Sequence, residues 1–229
     1  MSSQYDKNYF LTMEKNYLTR IDKIRFFTIV ETVQRIKPKI MLDAGCGSGN
    51  YLSHFTQFTK TIYGIDFSEV GCRIAKESTK QFKNITIKRM DLTKKLDFQD
   101  SFFDFILCSE VLEHIKNNEF TLSELKRILK PNGLILITGP NFNFLSVEYL
   151  RYIFFYKDPS HFHDYSIHNW LKLISKYFKP IKIITSTHYI SIMLFYLKMK
   201  KISLKIDKLI RKIPILNRFG RDVNILLKK

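Results

Sequence analysis

The sequence predicts an α/β fold, a mostly parallel sheet covered by helices on both faces. Three observations carry that expectation. Short apolar runs alternate with segments whose apolar residues recur at helical spacing. The first run, Ile40 to Asp43, ends in a turn with three alternating glycines, Gly45, Gly47 and Gly49. A strand, a tight glycine turn and a helix start form the opening unit of a nucleotide-type sheet. Acids also stand at or just past the ends of the first four strands: Asp43, Asp66, Asp91 and Glu110.

The elements follow in order. From about Tyr17 to Lys37, Phe26, Ile29, Val30, Val33 and Ile36 recur with helical periodicity, and Pro38 closes that helix. Residues 39–43 are the first strand, and Tyr51 to Phe58 the helix after the glycines. Thr61 to Asp66 is the second strand. Ser68 is placed to cap the next helix, whose inner face carries Val70, Ile74 and Ala75. Ile85 to Arg89 and Phe103 to Cys108 are the third and fourth strands. Thr121 with Glu124 reads as a capping box, with Leu122, Leu125 and Leu129 on one helical face. Lys130-Pro131-Asn132-Gly133 is a turn, and Leu134 to Thr138 a buried fifth strand. Beyond Gly139-Pro140, Phe142 to Tyr156 is dense in aromatics, and Ser166 to Phe178 is an amphipathic helix. Ile181 to Thr185 and Asp222 to Leu227 are further strands, the latter reached through a turn at Gly220.

Composition narrows the function. A 229-residue chain that is 45% hydrophobic and 14% aromatic suits one ordered α/β domain. The first residues show no secretory signal, and no apolar run approaches the ~18 residues that span a bilayer. Cys46, Cys72 and Cys108 form no C-x-x-C pair, so reduced thiols in a cytoplasmic protein are expected, with no disulfide framework or zinc site. The net charge of +17 is unevenly placed. Residues 1–150 hold 21 Lys and Arg against 17 Asp and Glu, whereas residues 151–229 hold 17 against 4. The basic second part points to an anionic partner, a membrane surface or nucleic acid.

The glycines read Gly45-x-Gly47-x-Gly49, with Asn50 where a dinucleotide fingerprint needs its third glycine, and no Gly-Lys-Ser or Gly-Lys-Thr follows to make a phosphate loop. In an open α/β sheet the ligand sits outside the carboxyl ends of the strands. Four acids on that rim would repel a phosphate-bearing cofactor and hold one with cationic groups and hydroxyls. Asp66 is placed to accept from both hydroxyls of a ribose, and Asp91 from an adenine amino group. Taken singly, each acid also reads as a helix cap or turn residue.

The segments D-A-G-C-G-S-G-N-Y, Y-G-I-D-F-S, M-D-L, F-D-F-I-L-C-S-E-V-L-E-H-I and L-K-P-N-G-L-I-L-I-T-G-P occur in that order over about residues 38–140. Together they resemble the class I S-adenosylmethionine-dependent methyltransferases, in the branch holding ubiquinone-pathway and related small-molecule enzymes. The resemblance implies a Rossmann-like sheet of seven strands, the last antiparallel, in one methyltransferase domain. Residues 1–38 would be an N-terminal helical cap, 39–140 the core that binds S-adenosylmethionine, 141–180 a substrate or lid segment, and 190–215 a basic amphipathic insertion. It also implies that Asp43, Gly45, Gly47 and Gly49 face the methionine part and that Asp66 and Phe67 take the ribose and adenine. Asp91 and Leu92 would lie at the adenine edge, and Ser109 and Glu110 beside the sulfonium.

Methyl transfer needs an aligned nucleophile and a dry site, with a base where the acceptor is a hydroxyl. His114, His161 and His163 are the candidate bases because histidine titrates near neutrality; structural or surface roles suit each equally well. His161 and His163 lack a third ligand in sequence, so no metal is expected. From Phe195 to Ile213 an apolar stripe (Phe195, Met199, Ile202, Ile206, Leu209, Ile213) runs beside a basic one (Lys198, Lys201, Lys205, Lys208, Lys212). Interfacial membrane helices have that pattern, and so does a helix packed on a sheet with its lysines in water. With the aromatics of 142–156 it favours a lipid or lipid-linked acceptor, methylated on oxygen or carbon, and a place at the inner membrane face. RNA, a tRNA for instance, is the alternative acceptor. Against it, Cys108-Ser109-Glu110-Val111 replaces the Asn-Pro-Pro-Tyr type of sequence used on base amino groups. No Pro-Cys nucleophile is present either. A non-catalytic protein of the same fold is a third reading.

Overall fold

The computed structural model describes residues 22–144, 146, 149–150, 153, 159–186, 188, 199–213 and 215–229. The expected helix start at Tyr17, much of the aromatic stretch to Tyr156, and Phe195 and Lys198 of the two stripes lie outside these residues. A seven-stranded sheet runs in the order β3-β2-β1-β4-β5-β7-β6. The strands are β1 Ile40–Ala44, β2 Thr61–Asp66, β3 Ile85–Arg89, β4 Phe103–Ser109, β5 Leu129–Pro140, β6 Lys179–Ser186 and β7 Asp222–Lys228. β1 to β5 pair in parallel; β7 is antiparallel to both β5 and β6. The expected antiparallel last strand is therefore borne out.

The helices are α1 Asp22–Ile36, α2 Leu52–Phe55, α3 Glu69–Thr79, α4 Asn118–Ile128, α5 Ile167–Ile174 and α6 Lys200–Ile210. Two apolar cores lie on the two faces of the sheet. One joins Leu42, Ile106, Phe103, Leu122 and Leu125 to Trp170; the other joins Met41, Phe105 and Leu107 to Ile29, Val33 and Phe55. Parallel strands buried on both faces are continuous apolar runs, which is how β4 and β5 read.

Several local expectations hold and three shift. Ser68 caps α3 by accepting the Gly71 N–H at 3.1 Å. The helix after the glycines shrinks to four residues, Leu52–Phe55. The capping box at Thr121 is displaced: α4 starts four residues earlier, with Asn117 at the N-cap position, Thr121 Oγ1 donates to the Leu92 carbonyl at 3.0 Å, and Glu124 accepts the Leu96 N–H and binds Arg127. Tertiary partners thus claim both side chains. The turn at Lys130–Gly133 survives as a bulge inside β5, with Asn132 at φ 63° where the pairing register with β4 shifts.

Candidate active site

The sheet order places β1 between β2 and β4, so the chain reverses direction across the sheet there. In such sheets the crevice opens at the carboxyl ends of the strands flanking this point. Asp43 is the penultimate residue of β1, Asp66 the last of β2, Asp91 follows β3 and Glu110 follows β4. Because these four strands are parallel, the four acids share one rim, as their spacing predicted. Asp222, the first residue of the antiparallel β7, pairs with Pro140 at the end of β5 and joins the same rim.

The glycine turn is tied to the strand beside it. Gly45 and Cys46 both donate their N–H to the Ile65 carbonyl (2.8 and 2.9 Å), Gly47 donates to Asp66 Oδ2 at 2.9 Å, and Gly49 to the Cys46 carbonyl. Three of these donors go to β2 and the fourth to the turn itself. Its glycines are required by shape: all three have positive φ (85°, 52° and 81°). A Cβ on Gly45 would lie 2.3 Å from Val111 Cγ2, and one on Gly49 would press on Ala75. Room at Gly45 is thus taken up by the loop after β4, where Glu110 itself sits at φ 55°.

Asp66 is held rigidly. Its Oδ1 accepts the Ser68 N–H at 2.8 Å and its Oδ2 the Gly47 N–H. Burial pushes its carboxyl upward, against the pull of those N–H groups. Asp43 is fully enclosed, and burial together with the charge of Asp66 raises it to about 7. Its Oδ2 has no hydrogen-bond partner among the described residues. Two desolvated carboxylates side by side destabilise each other unless a proton or a cation arrives. Phe67 follows Asp66 and is 39% exposed, a ring available for stacking. Asp91 uses Oδ1 on the Thr93 N–H and hydroxyl, so the turn role is real; Leu92 beside it is buried in the core.

Glu110 meets a cation that the sequence reading missed. Arg25, buried in α1, places Nη1 2.6 Å from Glu110 Oε2 and 3.4 Å from Asp222 Oδ1. Ser109 Oγ and Thr138 Oγ1 are 2.8 Å apart, and Thr138 reaches Glu110 at 3.4 Å. The signal for Arg25 was in the chain: it lies four and eight residues before Ile29 and Val33, on the buried stripe of α1.

The three histidines separate into two groups. His114 closes the 3-10 turn Leu112–His114 after β4, and its ring lies 4.8 Å from that of His161. With the buried Glu113 they bring possible ligand atoms within 4.8 Å of one another. Two imidazoles and a carboxylate suit a zinc-like cation. The fold thus brings Glu113 and His114 beside His161, a grouping that sequence spacing did not show. His163 turns away: its Nε2 faces the carbonyls of Ile115 and Lys116 (3.1 and 3.3 Å), and its ring stacks on Tyr165.

Sheet order, parallel rim acids and positive-φ glycine turn give the chain the Rossmann-like fold of class I methyltransferases. Comparison with known proteins agrees: the methyltransferase-domain family matches residues 42–137. A demethylmenaquinone methyltransferase of Staphylococcus aureus is 30% identical over 119 residues, 51% of this chain and 49% of that protein. The chain spans about half the length of the curated relatives it matches. Among solved structures, the N-methyltransferase NodS of Bradyrhizobium japonicum, in complex with S-adenosylhomocysteine, superposes with a TM-score of 0.66. That pairing covers 93% of this chain and 90% of NodS at 11% identity. A SAM-dependent methyltransferase from Aquifex aeolicus gives 0.60 over 87% and 88% at 16% identity. These structural likenesses establish the fold.

The residues present fit the methyl donor. A buried carboxylate pair with an unsatisfied oxygen favours a ligand carrying ammonium and sulfonium charges, and the internally spent N–H groups of the turn offer little to a phosphate.

Proposed function

We propose that the chain binds S-adenosylmethionine in the rim crevice and transfers its methyl group to a small apolar acceptor, a lipid or lipid-linked molecule, on oxygen or carbon. The single observation that carries this reading is the buried Asp43–Asp66 pair at the point where the sheet order reverses, both carboxyls pushed up by burial. The donor supplies an already activated methyl group on a cationic sulfur, and S-adenosylhomocysteine is left behind.

The chain's part is placement. Asp66, fixed by two backbone N–H groups, presents its remaining lone pairs to the ribose hydroxyls, with Phe67 against the flat ring system. Asp91 and Leu92 border the adenine edge. Asp43 faces the methionine part, where its charge is compensated by the cation. Gly45, Gly47 and Gly49 shape that wall, and Ser109 and Glu110 close it from β4. The Arg25 pair restrains Glu110 so that the crevice is not over-charged. For a hydroxyl acceptor, His114 or His161 takes the proton. His163 stands apart from that pair, its Nε2 facing the Ile115 and Lys116 carbonyls at 3.1 and 3.3 Å. Support for an apolar acceptor comes from Phe144 and Phe162, exposed on the segments after β5, and from the similarity to the Staphylococcus demethylmenaquinone methyltransferase.

The experiment is methyl transfer from radiolabelled donor to membrane lipid extract, soluble metabolites and tRNA, assayed in parallel. Label in the organic-extractable fraction is expected. Label confined to tRNA would overturn the acceptor class, and no transfer beyond buffer to any pool would overturn the activity.

A further inference from the structure

Helix α6 is amphipathic in the reverse sense to a helix packed on a sheet. Its buried side chains are Ser203, Asp207 and Ile210. Asp207 fixes that orientation: Oδ1 meets His188 Nδ1 at 2.8 Å, and Oδ2 binds the guanidinium of Arg211, with Nε at 2.7 Å. His188 Nε2 in turn lies 3.0 Å from Thr185 Oγ1 near the end of β6. On the flank, Lys208 reaches Glu31 of α1 at 2.9 Å. With Ser203 and Asp207 turned inward, most of the apolar stripe faces out: Met199 is 40% exposed, Ile202 44%, Leu209 55% and Ile213 48%, while Ile206 is half-buried. The following turn adds Ile215 and Leu216 at 70% and 42%. Lys201, Lys205 and Lys212 are exposed beside them.

We propose that α6 and the turn after it are a contact surface for an anionic phospholipid bilayer. An apolar stripe flanked by lysines is matched on both counts by such a surface, where acyl chains take the side chains and headgroups the charges. RNA would satisfy the lysines and leave six large apolar residues in water. A second copy, pairing about a two-fold axis, would bring the same positive surface onto itself, since residues 199–218 hold seven Lys and Arg against one Asp. The surface also borders the crevice. Asn141, just past β5, donates to the Arg218 carbonyl at 3.0 Å, and the chain then enters β7 at Asp222 on the acidic rim. A lipid acceptor would have a short path from bilayer to donor; that last point rests on the proposed acceptor, whereas the bilayer contact does not.

The test is co-sedimentation with phosphatidylcholine vesicles with and without phosphatidylglycerol, with S-adenosylhomocysteine calorimetry on every variant as an independent readout of the donor site. The wild type should sediment with the anionic vesicles at low salt and be released as salt rises. Leu209→Asp with Ile213→Asp should weaken that binding by at least about tenfold, and Lys205→Glu by roughly fivefold or more, all with donor-site affinity unchanged. No binding to anionic vesicles at low salt overturns the proposal, as does binding indifferent to Leu209→Asp in a folded protein. Overturning results also include a dimer in light scattering that this variant dissociates, or tRNA binding that it abolishes. Loss of S-adenosylhomocysteine binding in the wild type would count against the donor site alone.

Discussion

Replacing Asp66 by alanine tests the pocket at its most constrained point. The carboxylate takes the Ser68 N–H at 2.8 Å and the Gly47 N–H at 2.9 Å, one on each oxygen. A carboxylate has about four acceptor positions, so about two remain for a bound ribose. Hydrogen bonds to a charged acceptor contribute about 1.5–3 kcal/mol each. Losing both should therefore weaken donor binding by roughly 3–6 kcal/mol, about two to four decades in Kd. Stability responds less, because two effects oppose. Two backbone N–H groups lose their acceptor at a cost of about 1–3 kcal/mol each. Against that, Asp43 loses the charge that helps raise it to about 7 and relaxes toward the ordinary carboxylate range. Calorimetric titration with S-adenosylhomocysteine, alongside thermal unfolding, separates the two quantities. A folded Asp66→Ala variant whose Kd stays within about threefold of the parent would refute the placement of the ribose.

The remaining predictions concern the framework. Arg25→Ala removes the buried cation shared by Glu110 and Asp222 and should cost about 3–5 kcal/mol in urea unfolding; an unchanged midpoint would contradict the ion-pair reading. Asp207 is held down to about 2, the His188 hydrogen bond and the Arg211 charge outweighing the upward push of burial. Its folded value lies below the unfolded one, so the stabilisation is present above about pH 4 and is lost as pH falls toward about 2. Asp207→Asn should remove that portion of the acid-unfolding slope, and an identical slope would refute it. Gly139→Ala puts a Cβ 2.4 Å from the Trp170 ring and should destabilise by about 1–3 kcal/mol through overpacking, measured as a lowered Tm.

Most of the sheet was legible because parallel strands buried on both faces leave continuous apolar runs, and the rim acids were legible because strand ends fix their side. What sequence could not show were contacts between distant segments. Thr121 and Glu124 look like a cap, yet Leu92 and Leu96, about thirty residues earlier, bind them instead. The three glycines announce a tight turn, whereas the reason for Gly45 is Val111 of another loop. Arg25 stood on an apolar stripe, a visible anomaly whose partners Glu110 and Asp222 are set only by the fold. The direction of α6 is the clearest case. Periodicity gives two stripes but not which one faces inward, and that is decided by His188, nineteen residues before Asp207. Likewise His161 gains Glu113 and His114 as neighbours only through the return of the 160–163 loop to the end of β4.

The central claim is that the acidic rim holds a cationic methyl donor. Calorimetry of S-adenosylmethionine binding near pH 7, repeated in buffers of different ionisation enthalpy, measures it directly. Because Asp43 is raised to about 7, a cation that favours its charged form should release about half a proton per site, and Asp43→Asn should abolish the release. Saturable one-to-one binding with that release is the predicted result; no binding, or binding with proton uptake, would contradict the account.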